Sequence, residues 1–261
     1  KGFFLNILVL GSGGREHALC WKISKSPKCN SLFCIPGNGG IEQVATCIKI
    51  NPTNKRKIYL FCKSHKIDLV VIGPEGLLGE GLSDYLTNKK IKVFGPSKRA
   101  AKLETSKVFS KKFLEKNSIP TANSYKFNNF ESSVNHINLN NAPFVIKVDG
   151  LAAGKGVIIC TSKKEAVKTL HDIFKKNKFG NAGEKILIEE FLEGYEISYF
   201  AFFDKNNFLP FGYALDHKRA KNNDKGLNTG GMGAFSPSKK ITTALERKII
   251  KEIVLPTKNG L

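Results

Sequence analysis

The sequence predicts an α/β protein with two domains, in which a doubly wound parallel sheet over residues 1–104 precedes an α+β domain over residues 105–261. A length of 261 residues is enough for about two hydrophobic cores. As far as Glu104, apolar strands alternate with amphipathic helices, which is the pattern of a parallel sheet. Beyond Pro120 successive apolar runs favour hairpins, so the second domain should contain antiparallel strands.

In the first domain, short apolar runs are separated by segments with one apolar face. The predicted strands cover residues 7–10, 32–35, 69–72 and 93–94, and the predicted helices cover residues 16–26, 55–65, 82–88 and 98–104. Because a helix separates each strand from the next, crossover connections and a parallel sheet follow.

The second domain opens with a predicted helix over residues 106–117 and continues with a less regular order. Predicted strands cover residues 124–127, 144–148, 157–160 and 186–190, three further strand-like runs end near Leu215, and helices cover residues 130–139, 163–176 and 243–255. Residues 216–238 are polar and contain several glycines, so we expect a long connection there. Connections of that length are usually functional.

Composition narrows the classes of function. The net charge of +20 comes largely from lysines on predicted surface helices, without aromatic interleaving, so we expect no nucleic-acid partner. A basic nucleic-acid-binding protein is the alternative that the charge alone supports. The six cysteines form no CxxC pair, which indicates reduced thiols in a cytoplasmic protein. The apolar run over residues 3–10 is too short for a secretory signal, and no segment reaches the length of a membrane span, so we expect no membrane partner.

A glycine-rich loop with a lysine, IKVDGLAAGKGV, joins two predicted strands. Gly150, Gly154 and Gly156 let the backbone approach phosphate oxygens, and Lys155 adds a positive charge. The loop is not a P-loop, because three residues separate Gly150 from Gly154 and a strand follows where a helix would begin. Lys147 lies on the preceding apolar strand, where a phosphate partner is favoured over a lysine that extends to the surface.

An acidic corner follows the strand over residues 186–190. Its candidate nucleotide ligands are Glu189, Glu190, Phe191, Leu192 and Glu196. Such a corner can present backbone groups to an adenine and a carboxylate to ribose hydroxyls. The alternative is an ordinary hairpin turn.

The segment GSGGREHAL follows the first strand and opens a helix, where an anion can bind to free backbone N–H groups. It is not a dinucleotide fingerprint, because Glu16 stands where the third glycine should be. We expect Gly13, Gly14 and Arg15 to hold a single phosphate; the alternative is a tight turn without a ligand. Glu75 follows another strand and could reach a ribose hydroxyl or an amine, or be a plain turn residue.

The polar segment over residues 216–238 combines cations, a carboxylate and a run of glycines. Its candidate residues are Asp216, Lys218, Arg219, Asn228, Thr229, Gly230 and Gly231. Neither a nucleophile elbow nor a zinc spacing occurs in the chain. The chemistry indicated is phosphoryl transfer by positioning and charge neutralisation, without a covalent enzyme intermediate.

Taken in order, these motifs resemble the phosphoribosylamine–glycine ligases, which belong to the ATP-grasp superfamily. The resemblance covers essentially the whole chain and includes GSGGREHAL, PGNGG, IGPE, IKVDGLAAGKGV, IEEFLEGYEIS, DHKR and NTGGMGAFSP. It implies a preATP-grasp domain followed by an ATP-grasp domain, whose mobile lid would span residues 121–191. It also implies that ATP, glycine and 5-phosphoribosylamine give glycinamide ribonucleotide, ADP and phosphate. The alternative within this superfamily is another carboxylase or ligase of purine synthesis.

The resemblance also implies a role for each candidate residue. Lys107 and Lys147 would bind the ATP phosphates beneath the loop over residues 150–156. Residues 189–192 would bind adenine, and Glu196 would bind its ribose. The phosphate of the second substrate would lie at residues 13–15, with Glu75 near its ribose or amine. Glycine would meet the acyl phosphate beside Asp216, Lys218, Arg219 and residues 228–231.

The family's metal ligands, an acidic residue and an asparagine that hold Mg²⁺ or Mn²⁺, are expected beyond Leu261. We therefore expect no metal ligand among residues 1–261, an absent C-terminal part of the ATP-grasp domain, and weak ATP binding without turnover. The assembly is expected to be a monomer or a weak homodimer.

Overall fold

The structure is a computed structural model that describes residues 4–152, 155–222 and 225–261. It divides into two compact units, Lys1–Thr105 and Ser106–Leu261. The first contains a parallel sheet and the second contains antiparallel sheets, which confirms the predicted fold class.

The N-terminal unit is built on a five-stranded sheet with the order β3-β2-β1-β4-β5, in which every pairing is parallel. The strands are β1 (Leu5–Gly11), β2 (Cys29–Pro36), β3 (Thr46–Cys47), β4 (Leu69–Ile72) and β5 (Val93–Phe94). The helices are α1 (Gly14–Ser24), α2 (Lys55–Ser64), α3 (Glu75–Gly79), α4 (Leu82–Asn88) and α5 (Lys98–Thr105). The strand order reverses at β1, so helices cover both faces.

Strand β1 shows how both faces are buried. Leu8 and Leu10 belong to one apolar cluster, whereas Ile7 and Val9 belong to another. Successive side chains of a strand point to opposite faces, so a run that is apolar throughout predicts a strand buried on both sides.

The carboxyl ends of β1 and β4 close on the side chain of Glu16, which is buried. Its Oε2 atom accepts a hydrogen bond of 2.7 Å from the backbone N–H of Gly13. A Cβ atom on Gly11 would lie 2.5 Å from Glu16 Cγ, and one on Gly73 would lie 2.0 Å from Glu16 Oε1. The two strand ends therefore leave room for this carboxylate only because both residues are glycines.

The C-terminal unit contains a four-stranded antiparallel sheet with the order β6-β9-β7-β8. Its elements are α6 (Lys107–Lys116), β6 (Ser124–Phe127), α7 (Phe130–Leu139), β7 (Phe144–Val148), β8 (Val157–Cys160), α8 (Lys163–Phe174) and β9 (Ile186–Glu190). One face of the sheet, with Ile146 and Ile188, packs against Ile137 of α7 and Leu170 of α8. Helix α6 packs against β9.

A second antiparallel sheet has the order β10-β11-β12, with β10 (Ser198–Phe203), β11 (Phe208–Lys221) and β12 (Lys225–Phe235). The expectation of a connection over residues 216–238 is wrong, because most of it forms the β11–β12 hairpin. Asp216 pairs with Ala234 and His217 with Gly233. A hairpin joined by backbone hydrogen bonds needs no apolar alternation, so polar residues and glycines concealed it.

One side of this second sheet carries exposed aromatic and aliphatic side chains. Phe200, Phe202, Leu209 and Phe211 are all exposed, and the Phe202 and Phe211 ring centroids lie 4.8 Å apart. On the other side, the Tyr199 hydroxyl donates to Glu246 at 3.0 Å, and burial together with this carboxylate raises the pKa of Tyr199 to about 12. We refer to Phe200, Phe202, Leu209 and Phe211 as the aromatic face.

The chain ends in a helical stretch that continues past the predicted boundary at residue 255. It consists of α9 (Thr243–Ile249), a π-helical turn (Ile250–Val254) and α10 (Leu255–Gly260). Within the described ranges, no helix combines the length and apolar character needed to cross a membrane. All six cysteines are free thiols.

Replacing Gly73 with Ala tests whether Glu16 fills the end of the parallel sheet. The new methyl group would overlap the carboxylate, so we expect the free energy of unfolding to fall by about 1–3 kcal/mol. Denaturant unfolding followed by the fluorescence of Trp21, which lies on α1, reports on this unit. Gly76→Ala is the control, because nothing lies within 4 Å of its Cβ position. Equal losses in both variants would contradict the packing argument.

Candidate active site

In the N-terminal unit, the loop after β1 presents an open helix terminus. Helix α1 begins at Gly14, and beyond the adjoining backbone no atom lies within 4 Å of the position that a Cβ on Gly14 would take. Gly13 is the N-cap residue, with its own N–H bound by Glu16. The exposed first turn therefore offers backbone N–H groups to an anion.

Arg15 and Glu75, which the sequence singled out separately, lie together. The Arg15 Nη1 atom donates to the Gly73 carbonyl at 2.8 Å and to Glu75 Oε2 at 3.2 Å. The pKa of Glu75 is lowered, first by a hydrogen bond from its own backbone N–H and then, against burial, by the Arg15 guanidinium. Both side chains are exposed or half-buried, so an anionic ligand can reach the guanidinium.

Asn38 links the loop after β2 to the loop after β1, a role that the sequence analysis did not assign. Its Nδ2 atom donates to the Ser12 carbonyl at 2.8 Å, and its Oδ1 atom accepts from the N–H groups of Gly40 and Ile41 at 2.9 Å. An asparagine followed by glycines commonly forms such a turn, and this was the available signal.

In the C-terminal unit, β7 and β8 form the hairpin that carries the glycine-rich loop. A Cβ on Gly150 would lie 2.8 Å from Ala182 Cβ, and one on Gly156 would lie 2.6 Å from Val148 Cγ2. Close packing at the root of the loop therefore requires glycine at both positions. This requirement is independent of any approach of a phosphate to the backbone. Lys155 is exposed, and Gly154 lies outside the described residues.

Asp149 ties the root of this loop to helix α6. Its Oδ1 atom accepts from the Ser106 hydroxyl at 3.0 Å and from the Val108 N–H at 2.8 Å. Ser106 is itself the N-cap of α6, and its hydroxyl accepts from the Phe109 N–H. The Lys107 ammonium donates to the Gly150 carbonyl at 3.2 Å. The helix terminus and the loop root are thus one hydrogen-bonded unit.

Lys147 faces a carboxylate within the protein. Its Nζ atom lies 2.6 Å from Glu189 Oε2, and Lys111 Nζ lies 3.0 Å from Glu189 Oε1. Lys111 was not a candidate from the sequence, because it belongs to a helix with many lysines that reads as a solvated surface. The anion beside Lys147 in this structure is thus Glu189, and the phosphate partner expected from the sequence stays a prediction.

The acidic corner places its predicted residues in different surroundings. Glu190 Oε1 accepts from the Asn123 N–H at 2.7 Å, which fixes β9 to the segment before β6. Phe191 and Leu192 follow the end of β9 and are exposed. The Glu196 carboxylate forms an ion pair with Lys218. The corner therefore leaves two apolar side chains and one paired carboxylate at the surface.

The β11–β12 hairpin brings together a cation and two carboxylates. Lys218 pairs with Glu196 and lies 3.7 Å from Asp216 Oδ2. Burial lowers the pKa of Lys218, but the hydrogen bond and charge of Glu196 and the charge of Asp216 outweigh it, and the pKa is raised. The Asp216 Oδ1 atom is buried and, among the residues that the structure describes, has no hydrogen-bond partner. It is an acceptor that a ligand could satisfy.

Other predicted residues of this hairpin serve its own geometry. The Thr229 hydroxyl donates to the Lys218 carbonyl at 2.9 Å and accepts from the Gly231 N–H at 3.1 Å. Arg219 does not join Lys218, because its guanidinium donates to the Gly226 carbonyl at 2.7 Å. Asn228 pairs with Arg219 across the strands, and the space around Gly230 is open.

Metal binding has no support in the described side chains. Over residues 4–152, 155–222 and 225–261, no group of three or more His, Cys, Asp or Glu residues could hold a metal ion.

Comparison with known families agrees with this architecture. Residues 5–104 match the family model described as the N domain of phosphoribosylglycinamide synthetase, and residues 105–261 match that of its ATP-grasp (A) domain. This chain belongs to the phosphoribosylglycinamide synthetase family. The resemblance identified from the sequence motifs is confirmed.

Curated relatives in the family are similar over nearly the whole chain. The phosphoribosylamine–glycine ligase of Mesorhizobium japonicum is 47% identical over 257 residues, which is 98% of this chain and 60% of the relative. The ligase of Neisseria meningitidis serogroup B is 44% identical over 98% of this chain and 61% of the relative. The chain thus spans about three fifths of the length of these relatives.

Solved structures support the same fold. The crystal structure of phosphoribosylamine–glycine ligase from Thermotoga maritima has a TM-score of 0.83 and 32% identity, covering 98% of this chain and 61% of that chain. The biotin carboxylase domain of 2-oxoglutarate carboxylase from Hydrogenobacter thermophilus, solved with MgADP, has a TM-score of 0.73. It is 16% identical over 98% of this chain and 58% of that chain, so it supports the fold alone.

Replacing Asp149 with Ala tests the link between the loop root and α6. The variant loses the acceptor of Ser106 and Val108, so we expect the stability of the first turn of α6 to fall by about 1–2 kcal/mol. Amide hydrogen exchange of that turn is the measurement. Asp204→Ala is the control, because Asp204 accepts from the N–H groups of Asn206 and Asn207 in another turn. Unchanged exchange in α6 after Asp149→Ala would contradict the link.

Proposed function

We propose that the protein carrying this chain is an ATP-dependent ligase that joins glycine to 5-phosphoribosylamine through glycyl phosphate. The products would be glycinamide ribonucleotide, ADP and phosphate, in purine biosynthesis. The observation that carries the proposal is the 47% identity to a phosphoribosylamine–glycine ligase over 98% of this chain, which includes both the loop after β1 and the β7–β8 hairpin.

The nucleotide would bind to the C-terminal unit. Lys107 and Lys147 would neutralise the phosphates, while residues 150–156, including Gly150, Gly154, Lys155 and Gly156, would close over them. The backbone of residues 189–192 would meet the adenine, and Phe191 and Leu192 would shield it from water. Glu196 would accept hydrogen bonds from the ribose after exchanging its contact with Lys218. We propose residues 121–191 as the mobile lid and residues 104 and 105 as the domain boundary.

The phosphorylated sugar amine would bind to the N-terminal unit. The Gly14 N–H and the Arg15 guanidinium would hold its phosphate, because an open helix terminus beside a cation favours an anion. Gly13, whose N–H donates to Glu16, would shape the turn that faces the phosphate. Glu75 would accept a hydrogen bond from the ribose or the amine. The close Arg15–Glu75 pair supports this proposal, since it holds a donor and an acceptor side by side.

Glycine would bind at the β11–β12 hairpin. Asp216 Oδ1, which is buried and has no partner among the described residues, would accept from the glycine ammonium. Lys218 would neutralise the carboxylate and the acyl phosphate, and residues 228–231, including Asn228, Thr229, Gly230 and Gly231, would offer backbone N–H groups. Arg219, through its contact with Gly226, would hold the hairpin in shape. The hairpin would thus still bind glycine, but Arg219 would stabilise the hairpin and would not contact the substrate.

The bonds formed and broken would follow from these positions. A glycine carboxylate oxygen would attack the γ-phosphorus, and ADP would leave. The sugar amine would then attack the acyl carbon, phosphate would leave, and the amine would lose a proton to solvent. ATP supplies the transferable phosphoryl group, and this chain supplies positioning and positive charge.

Three further features of the proposed enzyme are its metal, its assembly and its cellular location. We propose Mg²⁺ or Mn²⁺ as the metal, with its ligands in the two fifths of the relatives that this chain does not span. We also propose a cytoplasmic monomer or weak homodimer.

Lys147→Met in the complete protein tests the proposed nucleotide site. Losing a charged donor to phosphate removes about 1.5–3 kcal/mol, so we expect the Kd for ATP to rise at least about tenfold. Isothermal titration calorimetry measures the affinity. Lys126→Met on β6 is the matched control, because Lys126 is an exposed lysine of the same sheet. Equal affinities in the two variants would contradict the assignment of Lys147.

The reaction itself is tested in the complete protein by measuring ADP formation. We expect ADP release to require both glycine and 5-phosphoribosylamine, and Asp216→Asn to raise the KM for glycine by about tenfold or more, because the ammonium loses a charged acceptor. Asp204→Asn, the same change in the β10–β11 turn, should leave the KM unaltered. A requirement for bicarbonate in place of glycine would favour another ATP-grasp carboxylase.

A further inference from the structure

Glu189 is a buried carboxylate shared by two lysines. Its side chain is 5% exposed, with Oε1 3.0 Å from Lys111 Nζ and Oε2 2.6 Å from Lys147 Nζ. Glu189 lies on β9 opposite Val145 of β7, and Lys147 lies two residues further along β7. Lys147 and Glu189 are thus diagonal neighbours on the face opposite Ile146 and Ile188.

The two lysines are bound very differently. The Lys111 side chain is 8% exposed, and its ammonium also donates to the Thr121 hydroxyl at 2.7 Å and to the Ala122 carbonyl at 2.8 Å. With Glu189, these acceptors use all three N–H bonds of the ammonium. The Lys147 side chain is 29% exposed, and among the described residues Glu189 is its one ion-pair partner. Lys111 is therefore held in place, whereas Lys147 can exchange its partner.

Helix α6 places Lys111 one turn after Lys107, on the same side of the helix. Lys107 reaches the Gly150 carbonyl at the root of the glycine-rich loop, and Lys111 reaches β9. One helix thus carries a cation to the proposed phosphate site and a second cation to the carboxylate beneath it.

We propose that Lys111 is a positioning residue for nucleotide binding, which keeps Glu189 neutralised while Lys147 moves from the carboxylate to a nucleotide phosphate. This inference rests on the proposed function. A buried carboxylate that loses its last cation is strongly unfavourable, so without Lys111 the release of Lys147 would oppose binding. With Lys111 in place, Glu189 acts as a temporary partner that orients Lys147 until phosphate arrives.

A double-mutant cycle with Lys111→Met and Glu189→Gln tests the proposal in the complete protein, with the Kd for ATP as the readout. In the wild-type background, we expect Lys111→Met to raise the Kd about tenfold or more, because Lys147 then becomes the sole cation on Glu189. In the Glu189→Gln background no carboxylate competes for Lys147, and Lys111→Met should change the Kd less than about twofold. Lys112→Met, an exposed lysine of the same helix, is the control and should match wild type.

Equal losses of affinity in both backgrounds would overturn the proposal, because Lys111 would then be merely structural. If Lys111→Met does not fold, Thr121→Val replaces it in the cycle, since it removes one of the three acceptors that hold Lys111. A partial increase in Kd confined to the background with Glu189 supports the proposal, and an increase in both backgrounds overturns it.

Thermal unfolding separates this inference from the proposed function. If Lys111 is the permanent partner, Lys111→Met should lower the Tm at least twice as much as Lys147→Met does, whether or not ATP binds. Absence of ATP binding in the complete wild-type protein would refute the proposed function together with the role in nucleotide binding. A larger Tm loss for Lys147→Met would refute the assignment of Lys111 alone.

Discussion

The C-terminal unit depends on the neutralisation of one buried carboxylate. An ionised Glu189 inside the sheet is tolerable only with cations within hydrogen-bond distance, and Lys111 and Lys147 supply them. Because Lys111 is on α6, the helix must lie over β9 for the pair to form. That position brings the N-terminus of α6 to Asp149, where the glycine-rich loop begins. The ion pairs of Glu189 and the hydrogen bonds of Asp149 therefore connect the helix, the loop root and the two lysines.

The sheet that holds this carboxylate has two chemically different faces. Ile146 and Ile188 bury one face against α7 and α8 through apolar contact. Lys147 and Glu189, which alternate with them along β7 and β9, place an ion pair on the other face. Apolar packing and the ion pair thus lie on opposite sides of the same strands. An exchange of partners on the charged face would therefore leave the apolar face, and with it the strand register, in place.

The sequence predicted most of the fold, because apolar runs and amphipathic helices report directly on burial. It failed for the β11–β12 hairpin, whose pairing at Asp216 and His217 depends on backbone hydrogen bonds. At the candidate site, glycine spacing and Lys147 singled out the β7–β8 loop, whose binding to phosphate stays a prediction. The pairing of Arg15 with Glu75 and the role of Lys111 could not be found that way. Both depend on contacts across more than 50 residues, and side-chain identity alone does not encode which lysine of a basic helix is buried.

The aromatic face of the second sheet has a consequence for how this chain behaves in solution. Four exposed apolar side chains, Phe200, Phe202, Leu209 and Phe211, favour contact between molecules, whereas a net charge of +20 drives molecules apart. At 0.1 M salt, the repulsion between charges more than about 10 Å apart is largely screened, whereas the apolar attraction remains. We therefore expect this chain to remain dispersed at low ionic strength and to associate as salt is added, which light scattering across a salt series would measure. Purification in a buffer of low ionic strength would then keep the aromatic face solvated and the protein unassociated.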